Sequence, residues 1–136
     1  MTRVALVTGA SRGIGAGIAE ELSKHHSSLI LTAQSDASVD GLRSKFPDQT
    51  VYKLNLGEQA SIESVLNALK ENNHVPDVLI NNAGITSDQL MLRMTWDHWQ
   101  KVMNVNLNGT FLLTQGILKS MLKKRWGRLV FLSSIV

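Results

Sequence analysis

Short apolar runs alternate with helical stripes along the whole chain. Val4-Ala5-Leu6-Val7 predicts a buried strand, and Ile14, Ile18 and Leu22 at i, i+4 and i+8 predict a helix after it. Leu29-Ile30-Leu31 predicts a second strand. A weaker helical pattern over residues 39–46 follows, and Pro47 ends it. Residues 51–56 alternate and predict a third strand. Ile62, Val65, Leu66 and Leu69 fit i, i+3, i+4 and i+7, the most regular helical stripe in the sequence. Val78-Leu79-Ile80 predicts a fourth strand, bounded by Pro76 before it and Asn81-Asn82-Ala83-Gly84 after it. Thr95 suits the N-cap of a long helical stretch over residues 96–124, and a fifth strand over residues 128–133 is entered through Gly127.

Strands that are continuously apolar and β-branched, alternating with helices, imply a parallel sheet covered on both faces. Right-handed crossovers then give a doubly wound α/β fold with expected strand order 3-2-1-4-5. No linker, internal repeat or low-complexity segment divides residues 1–136, so they read as one domain. The fifth strand looks central, yet Ser133-Ser134-Ile135-Val136 follows it directly without a covering helix. The chain therefore reads as a front half, incomplete at the C-terminus.

Composition narrows the classes. With 136 residues, 43% apolar, the chain is too hydrophobic to be disordered, and the absence of cysteine excludes a disulfide-stapled scaffold. Apolar runs of three or four residues fall far short of the ~20 that a membrane span needs. Val4-Ala5-Leu6-Val7 runs at once into Thr8-Gly9, a turn and not a cleavage site, so no signal peptide is expected and a cytoplasmic protein is the default reading. A net charge of +3 permits an acidic partner without requiring one. Aromatics make up 5% of the residues and do not interleave with the basic ones, which argues against a nucleic-acid platform.

Candidate chemistry gathers where strands end. Thr8-Gly9-Ala10-Ser11-Arg12-Gly13-Ile14-Gly15 joins the first strand to the first helix. Glycines there allow a tight turn and close approach to a pyrophosphate, and the helix N-terminus offers N–H groups and partial positive charge. The spacing is G-x-x-x-G-x-G, and a purely structural turn is the alternative. A dinucleotide site declares its preference at the end of the second strand, where a carboxylate binds the ribose diol and repels a 2′-phosphate. Here neutral Gln34 and Ser35 occupy that place, with Asp36 slightly beyond. Arg12 could pair with a 2′-phosphate, so NADP(H) is favoured over NAD(H). The alternative leaves Arg12 a solvated loop cation and gives the ribose to Asp36. Asn81-Asn82-Ala83-Gly84 suits close passage of backbone beside a cofactor, or a plain Asn/Gly turn. Asn104-Val105-Asn106-Leu107-Asn108-Gly109 makes a poor helix interior and predicts either a kink with one inward amide at Asn106 or a simple break. Ser133-Ser134 ends the fifth strand on the same edge of the sheet.

Together these parts resemble the short-chain dehydrogenase/reductases, whose domain is of the Rossmann type. Within that family, Asn82-Ala83-Gly84-Ile85-Thr86, Asp88, Leu90-Met91-Leu92-Arg93-Met94 and Met121-Leu122-Lys123-Lys124-Arg125-Trp126-Gly127-Arg128 look like the 3-oxoacyl-acyl-carrier-protein reductases of fatty-acid synthesis. Acetoacetyl-CoA reductases are near neighbours. The resemblance implies NADPH-dependent reduction of 3-oxoacyl thioesters carried on an acyl carrier protein or CoA. It implies cofactor contacts along Gly9, Ser11, Arg12, Gly13, Ile14 and Gly15, with Gln34 near the 2′-phosphate. Asn55 and Leu56 would flank the adenine, many members having Asp where this chain has Asn55. Asn82, Ala83 and Gly84 would line the ribose and nicotinamide side. Ser134 would orient the substrate carbonyl, Asn106 would bind a water in a proton relay, and Arg125 would dock an acidic acyl carrier. A homotetramer is implied as well, built partly on the 96–124 region. Its Val102, Val105, Phe111, Leu112 and Leu118 exceed what one buried face needs.

One departure is informative. The family's general acid is a Tyr with a Lys four residues later, and the single tyrosine here, Tyr52, is followed by Leu56 at that spacing and lies in the third strand. Tyr52 reads as an ordinary strand aromatic, and the Tyr-x-x-x-Lys segment is expected in sequence beyond residue 136. The 136 residues alone are accordingly expected to be inactive. A non-catalytic nucleotide-binding or scaffold subunit is the rival reading. His25, His26 and His74 lack carboxylate or Cys partners at ligand spacing, so no metal site is expected. His98, between Trp96 and Trp99, reads as surface or packing. Lys119, Lys123, Lys124, Arg125 and Arg128 suit a helix C-terminus by the dipole alone, apart from any docking role.

Overall fold

Strand alternation sends Leu6, Ile30 and Leu79 to one face of the sheet and Val7, Leu31 and Ile80 to the other, and each set seeds its own core. The computed structural model describes residues 2–25 and 28–135. Its elements run β1 (Val4–Val7), α1 (Gly13–Lys24), β2 (Ser28–Ala33), α2 (Asp36–Lys45), β3 (Thr50–Lys53), α3 (Gln59–Glu71), β4 (Val78–Asn81), α4 (Trp96–Met103), α5 (Thr110–Lys124) and β5 (Arg128–Phe131). A short 3₁₀ turn, Met91–Arg93, precedes α4, and a π-helical segment, Asn104–Gly109, joins α4 to α5. All strand pairs are parallel and the order is β3-β2-β1-β4-β5, as the pattern predicts.

On one face α1 and α2 bring Ile18, Ala19, Leu22, Val39 and Leu42 down on Val7 and Leu31. On the other, α3 and α5 bring Ile62, Val65, Leu69, Leu113, Ile117 and Met121 onto Leu6, Ile30 and Leu79. Leu6, Leu31, Leu79 and Leu113 have no exposed surface, and each contributes about 1.5–3 kcal/mol by burial. Truncating one to Ala would cost about 2–5 kcal/mol, since the close-packed surroundings collapse only in part.

Four elements differ from the pattern-based expectation. Ile14 is not part of the α1 core stripe: it is 67% exposed, and Gly15 and Ala19 are the buried positions. The third strand ends at Lys53. Leu54 N–H still donates to the Ala33 carbonyl, but Asn55 N–H turns away to Ser61 Oγ, which stops the ladder. The 96–124 stretch is not one α-helix, because the asparagine-rich 104–109 segment widens into π geometry. The fifth strand ends at Phe131 and not at Ser133; it stands at the edge that the predicted order gives it, with all four residues exposed.

Candidate functional site

Parallel strands leave their carboxyl ends on one edge, and β1, β2, β3 and β4 all release loops there. Gly9 and Gly13 take left-handed conformations (φ +63° and +57°), which lets the 8–15 segment coil from β1 into α1. Gly15 is required for a different reason. A Cβ there would overlap the Gly9 carbonyl and the Asn82 amide, so α1 can seat on the loop only through a glycine.

The loop is stitched to the segment after β4. Thr8 is fully buried, and its Oγ1 accepts the N–H groups of Asn82 and Ala83, both at 3.0 Å. Asn82 Nδ2 donates in return to the Thr8 carbonyl (3.0 Å) and the Gly9 carbonyl (3.1 Å). The two motifs that the sequence offers separately thus form one hydrogen-bonded unit.

The start of α1 differs from those of α2 and α4. Ser35 caps α2 by accepting from Ser38 N–H, and Thr95 caps α4 by accepting from His98 N–H, as its sequence position predicts. Arg12, the N-cap of α1, makes no side-chain cap, and no acid occupies the first turn. The N–H groups and positive dipole end there face outward, an arrangement that favours an anion.

A cleft of about 380 Å³ opens in front of that turn. Gly9, Ser11, Arg12, Gly13, Ile14, Gln34, Asn55, Leu56, Asn82, Ala83 and Gly84 all line it, so eleven residues marked by sequence meet at one place. Thr32, Ala33, Leu54, Ile85 and Val105 line it too. Thr32 and Ala33 end β2, and Leu54 directly follows β3. Ile85, in the loop after β4, and Val105, in the π segment, carry no chemical signal of their own. Gly15 lies beneath the cleft without lining it. Among the described residues no Asp or Glu lines the cleft, while Arg12 does, so the residues present fit a phosphate-bearing dinucleotide. Asp36 begins α2 and pairs with Lys53 at 3.0 Å, away from the cleft wall.

Asn106 sits in the π segment, with Oδ1 accepting from Ile85 N–H and Nδ2 donating to the Ile85 carbonyl, each at 2.8 Å. Its side chain is committed to holding the loop after β4. Gly109 lies flush against Leu56, where a Cβ would overlap the Leu56 carbonyl. The π segment therefore braces both walls of the cleft, a use that fits the frequent placement of such segments at functional sites. Ser134 lies just past β5 on the same sheet edge and is exposed.

The remaining candidates lie elsewhere. Tyr52 OH bonds His74 Nδ1 at 3.0 Å and accepts from Asn72 Nδ2 at 3.3 Å, in a packing role. His25 pairs with Glu21, and His26 lies outside the described residues. His98 is half-buried, and its Nδ1 has no partner among the described residues. Arg125 is exposed in a left-handed conformation (φ +56°) that ends α5, on the opposite edge of the sheet. Lys124 does more than face the dipole, because its Nζ pairs with Asp77 at 2.7 Å.

A family model described as short chain dehydrogenase matches residues 3–136. The 3-oxoacyl-[acyl-carrier-protein] reductase FabG of Aquifex aeolicus is 41% identical over 98% of this chain and 56% of its own length. The protein of the same name from Escherichia coli is 39% identical over 98% of this chain and 55% of its own. The chain spans about half the length of the curated relatives it matches. A solved short-chain dehydrogenase from Streptomyces avermitilis superposes with a TM-score of 0.90 at 30% identity, covering 98% of this chain and 49% of that one. The chain belongs to the short-chain dehydrogenase family.

Proposed function

We propose that residues 1–136 are one NAD(P)-binding domain of an NADPH-dependent reductase acting on 3-oxoacyl thioesters. The observation that carries the reading is the carboxylate-free cleft in front of the uncapped α1 turn. The relatives' names supply the substrate class, an oxoacyl group on an acyl carrier protein. When bound, the nicotinamide supplies hydride to the substrate carbonyl.

This chain's residues do the holding. Ser11, Arg12, Gly13 and the α1 N–H groups take the phosphates. In this reading the adenosine lies toward the ends of β2 and β3, beside Gln34, Asn55 and Leu56, and the nicotinamide toward Asn82, Ala83 and Gly84. Asp36, tied to Lys53, leaves the ribose position neutral, which favours a 2′-phosphate over a bare diol. Ser134 orients the carbonyl through a hydrogen bond, and Asn106 serves the site through its hold on Ile85. Arg125 contributes to docking an acidic carrier. Trp99, Phe111, Leu118 and Leu122 leave α4 and α5 with exposed apolar surface, in keeping with a homotetramer, while Val105 and Leu112 pack on the core instead. No helix among the described residues is long and apolar enough to cross a membrane, and we read the enzyme as cytoplasmic.

The test is made on the full-length protein. Reduction of an acetoacetyl thioester should proceed with NADPH in preference to NADH. Arg12→Ala should lower that preference by about one to two decades, the ~1.5–3 kcal/mol worth of a hydrogen-bonded ion pair. Equal use of both cofactors by the unmodified enzyme would refute the cofactor assignment. A monomer by size measurement would refute the tetramer.

A further inference from the structure

Asp36 and Lys53 stand just behind the cleft, at the end formed by β2 and β3. Ala33 and Lys53 are partners in the parallel register of those strands, about 4.8 Å apart across the ladder. Ala33 and Gln34 line the cleft, and so does Leu54, the residue after Lys53. Asp36 is two residues past Gln34, so its Cα lies within about 7 Å of that lining residue. Lys53 reaches over from β3, and its Nζ meets Asp36 Oδ1 at 3.0 Å.

The carboxylate has a reason to be there that involves no nucleotide. Asp36 occupies the first turn of α2, where the positive end of the helix dipole favours an acid. The same charge repels a 2′-phosphate bound next to it. The helix and the phosphate thus make opposite demands on one position. A cation held on Asp36 from the adjacent strand meets both, leaving the helix its acid and the cleft a neutral pair. As a bond the pair adds little to the fold, because both side chains are exposed. Its charge balance is what reaches the cleft, which lies within a Debye length of about 8–10 Å.

We infer that Lys53 is a specificity-determining residue for the dinucleotide: by cancelling Asp36 it lets the site prefer a ribose carrying a 2′-phosphate over a bare diol. This rests on the reading above that the adenosine ribose lies beside Gln34, and it adds a determinant on β3, outside the cleft wall.

The experiment is calorimetric titration of the full-length protein with NADP⁺ and NAD⁺ as probes, at low and at high ionic strength. Lys53→Met keeps the apolar stem and removes the charge. It should weaken NADP⁺ about threefold and leave NAD⁺ unchanged, the size expected of one charge acting through solvent over about 10 Å. Asp36→Asn should strengthen NADP⁺ by a similar factor, since Lys53 is then unanswered. The double variant should return to the affinity of the unmodified protein, and Lys53→Arg should keep it. High ionic strength should shrink each difference. A merely structural role would move both probes together and would not reverse sign between the two partners. Both positions are exposed, so the variants should fold, and similar melting temperatures check this. Equal weakening of both probes by Lys53→Met, no gain from Asp36→Asn, or a double variant as weak as Lys53→Met overturns the inference. Equal binding of the two probes by the unmodified protein overturns instead the NADP(H) reading on which it rests.

Discussion

The two edges of the sheet differ in how their central charges are answered. At the amino ends of the strands the central charges are answered from within the chain. Asp77 Oδ2 accepts Val4 N–H at 2.9 Å and its Oδ1 pairs with Lys124, while its backbone N–H donates to the Val4 carbonyl and its carbonyl accepts Arg128 N–H. Arg3 and Arg128 both approach the Trp126 ring, at 3.4 and 4.9 Å from its centroid. At the carboxyl ends the α1 turn has neither side-chain cap nor acid, and no carboxylate among the described residues lines the cleft beside Arg12. Thr8, Asn82 and Asn106 tie the loops of that edge together, while its central positive groups are left for a ligand. Substitutions on the two edges should therefore separate stability from binding.

The largest effect should come where folding and binding share a constraint, at Gly15. A Cβ there would overlap the Gly9 carbonyl, which cannot move without breaking the bond that Asn82 makes to it. Gly15→Val should cost about 3 kcal/mol in stability, by the logic of an overpacked core, and should abolish dinucleotide binding. Chemical denaturation and calorimetry check both. The neighbouring Gly13→Ala meets no atom within 4 Å, so its cost is only that of a positive φ on a residue with a Cβ, about 1 kcal/mol.

An intermediate effect is expected at Asp77. Burial alone would raise its pKa, but the Lys124 and Val4 hydrogen bonds, with the Lys124 and Arg3 charges, outweigh burial and hold it below the ordinary aspartate value. A carboxyl depressed on folding stabilises fully above its unfolded value, and that contribution is lost as pH falls through the folded one. Melting temperature should therefore drop on acidification below the ordinary aspartate range, and Asp77→Asn should flatten that part of the profile. Asp77→Ala, which orphans Val4 N–H, should cost about 1–3 kcal/mol at neutral pH. Neither change should alter nucleotide affinity, because Asp77 lies at the far edge. A loss of binding in a folded Asp77→Ala protein would break the separation.

The same contrast explains what the sequence makes legible. Strand order and both cores follow from apolar runs and helical spacing, since hydrophobic burial is periodic along the chain. Eight cleft residues belong to the glycine loop and the small-residue turn after β4, and Gln34 to the end of β2, whereas Asn55 and Leu56 are named only by the family resemblance. The π segment could be foreseen only as an interruption: Asn106 signals a break, but its bonds to Ile85 depend on a partner 21 residues away. Ile14 misleads because a helical stripe cannot distinguish a core face from a cleft face, and both tolerate an apolar side chain. The fifth strand is apolar at Leu129, Val130 and Phe131, and these are 37–56% exposed at the edge of a sheet whose chain spans about half the length of its relatives.

The smallest effect tests the closed edge alone. Arg3 lies over Trp126 at 3.4 Å, near enough for the ring quadrupole to attract the guanidinium, and its position is exposed. At such a site the contact contributes about 0.5–1 kcal/mol. Arg3→Ala should lower stability by that amount, and Trp126→Leu should lower it further through lost burial. The double variant should fall short of the sum by about 0.5–1 kcal/mol, which is the coupling between the two groups. Strict additivity would show that the stacked geometry carries no energy and that Trp126 acts through packing alone. Because Arg128 remains 4.9 Å from the same ring, Arg128→Ala should show weaker coupling than Arg3→Ala, the attraction falling with distance.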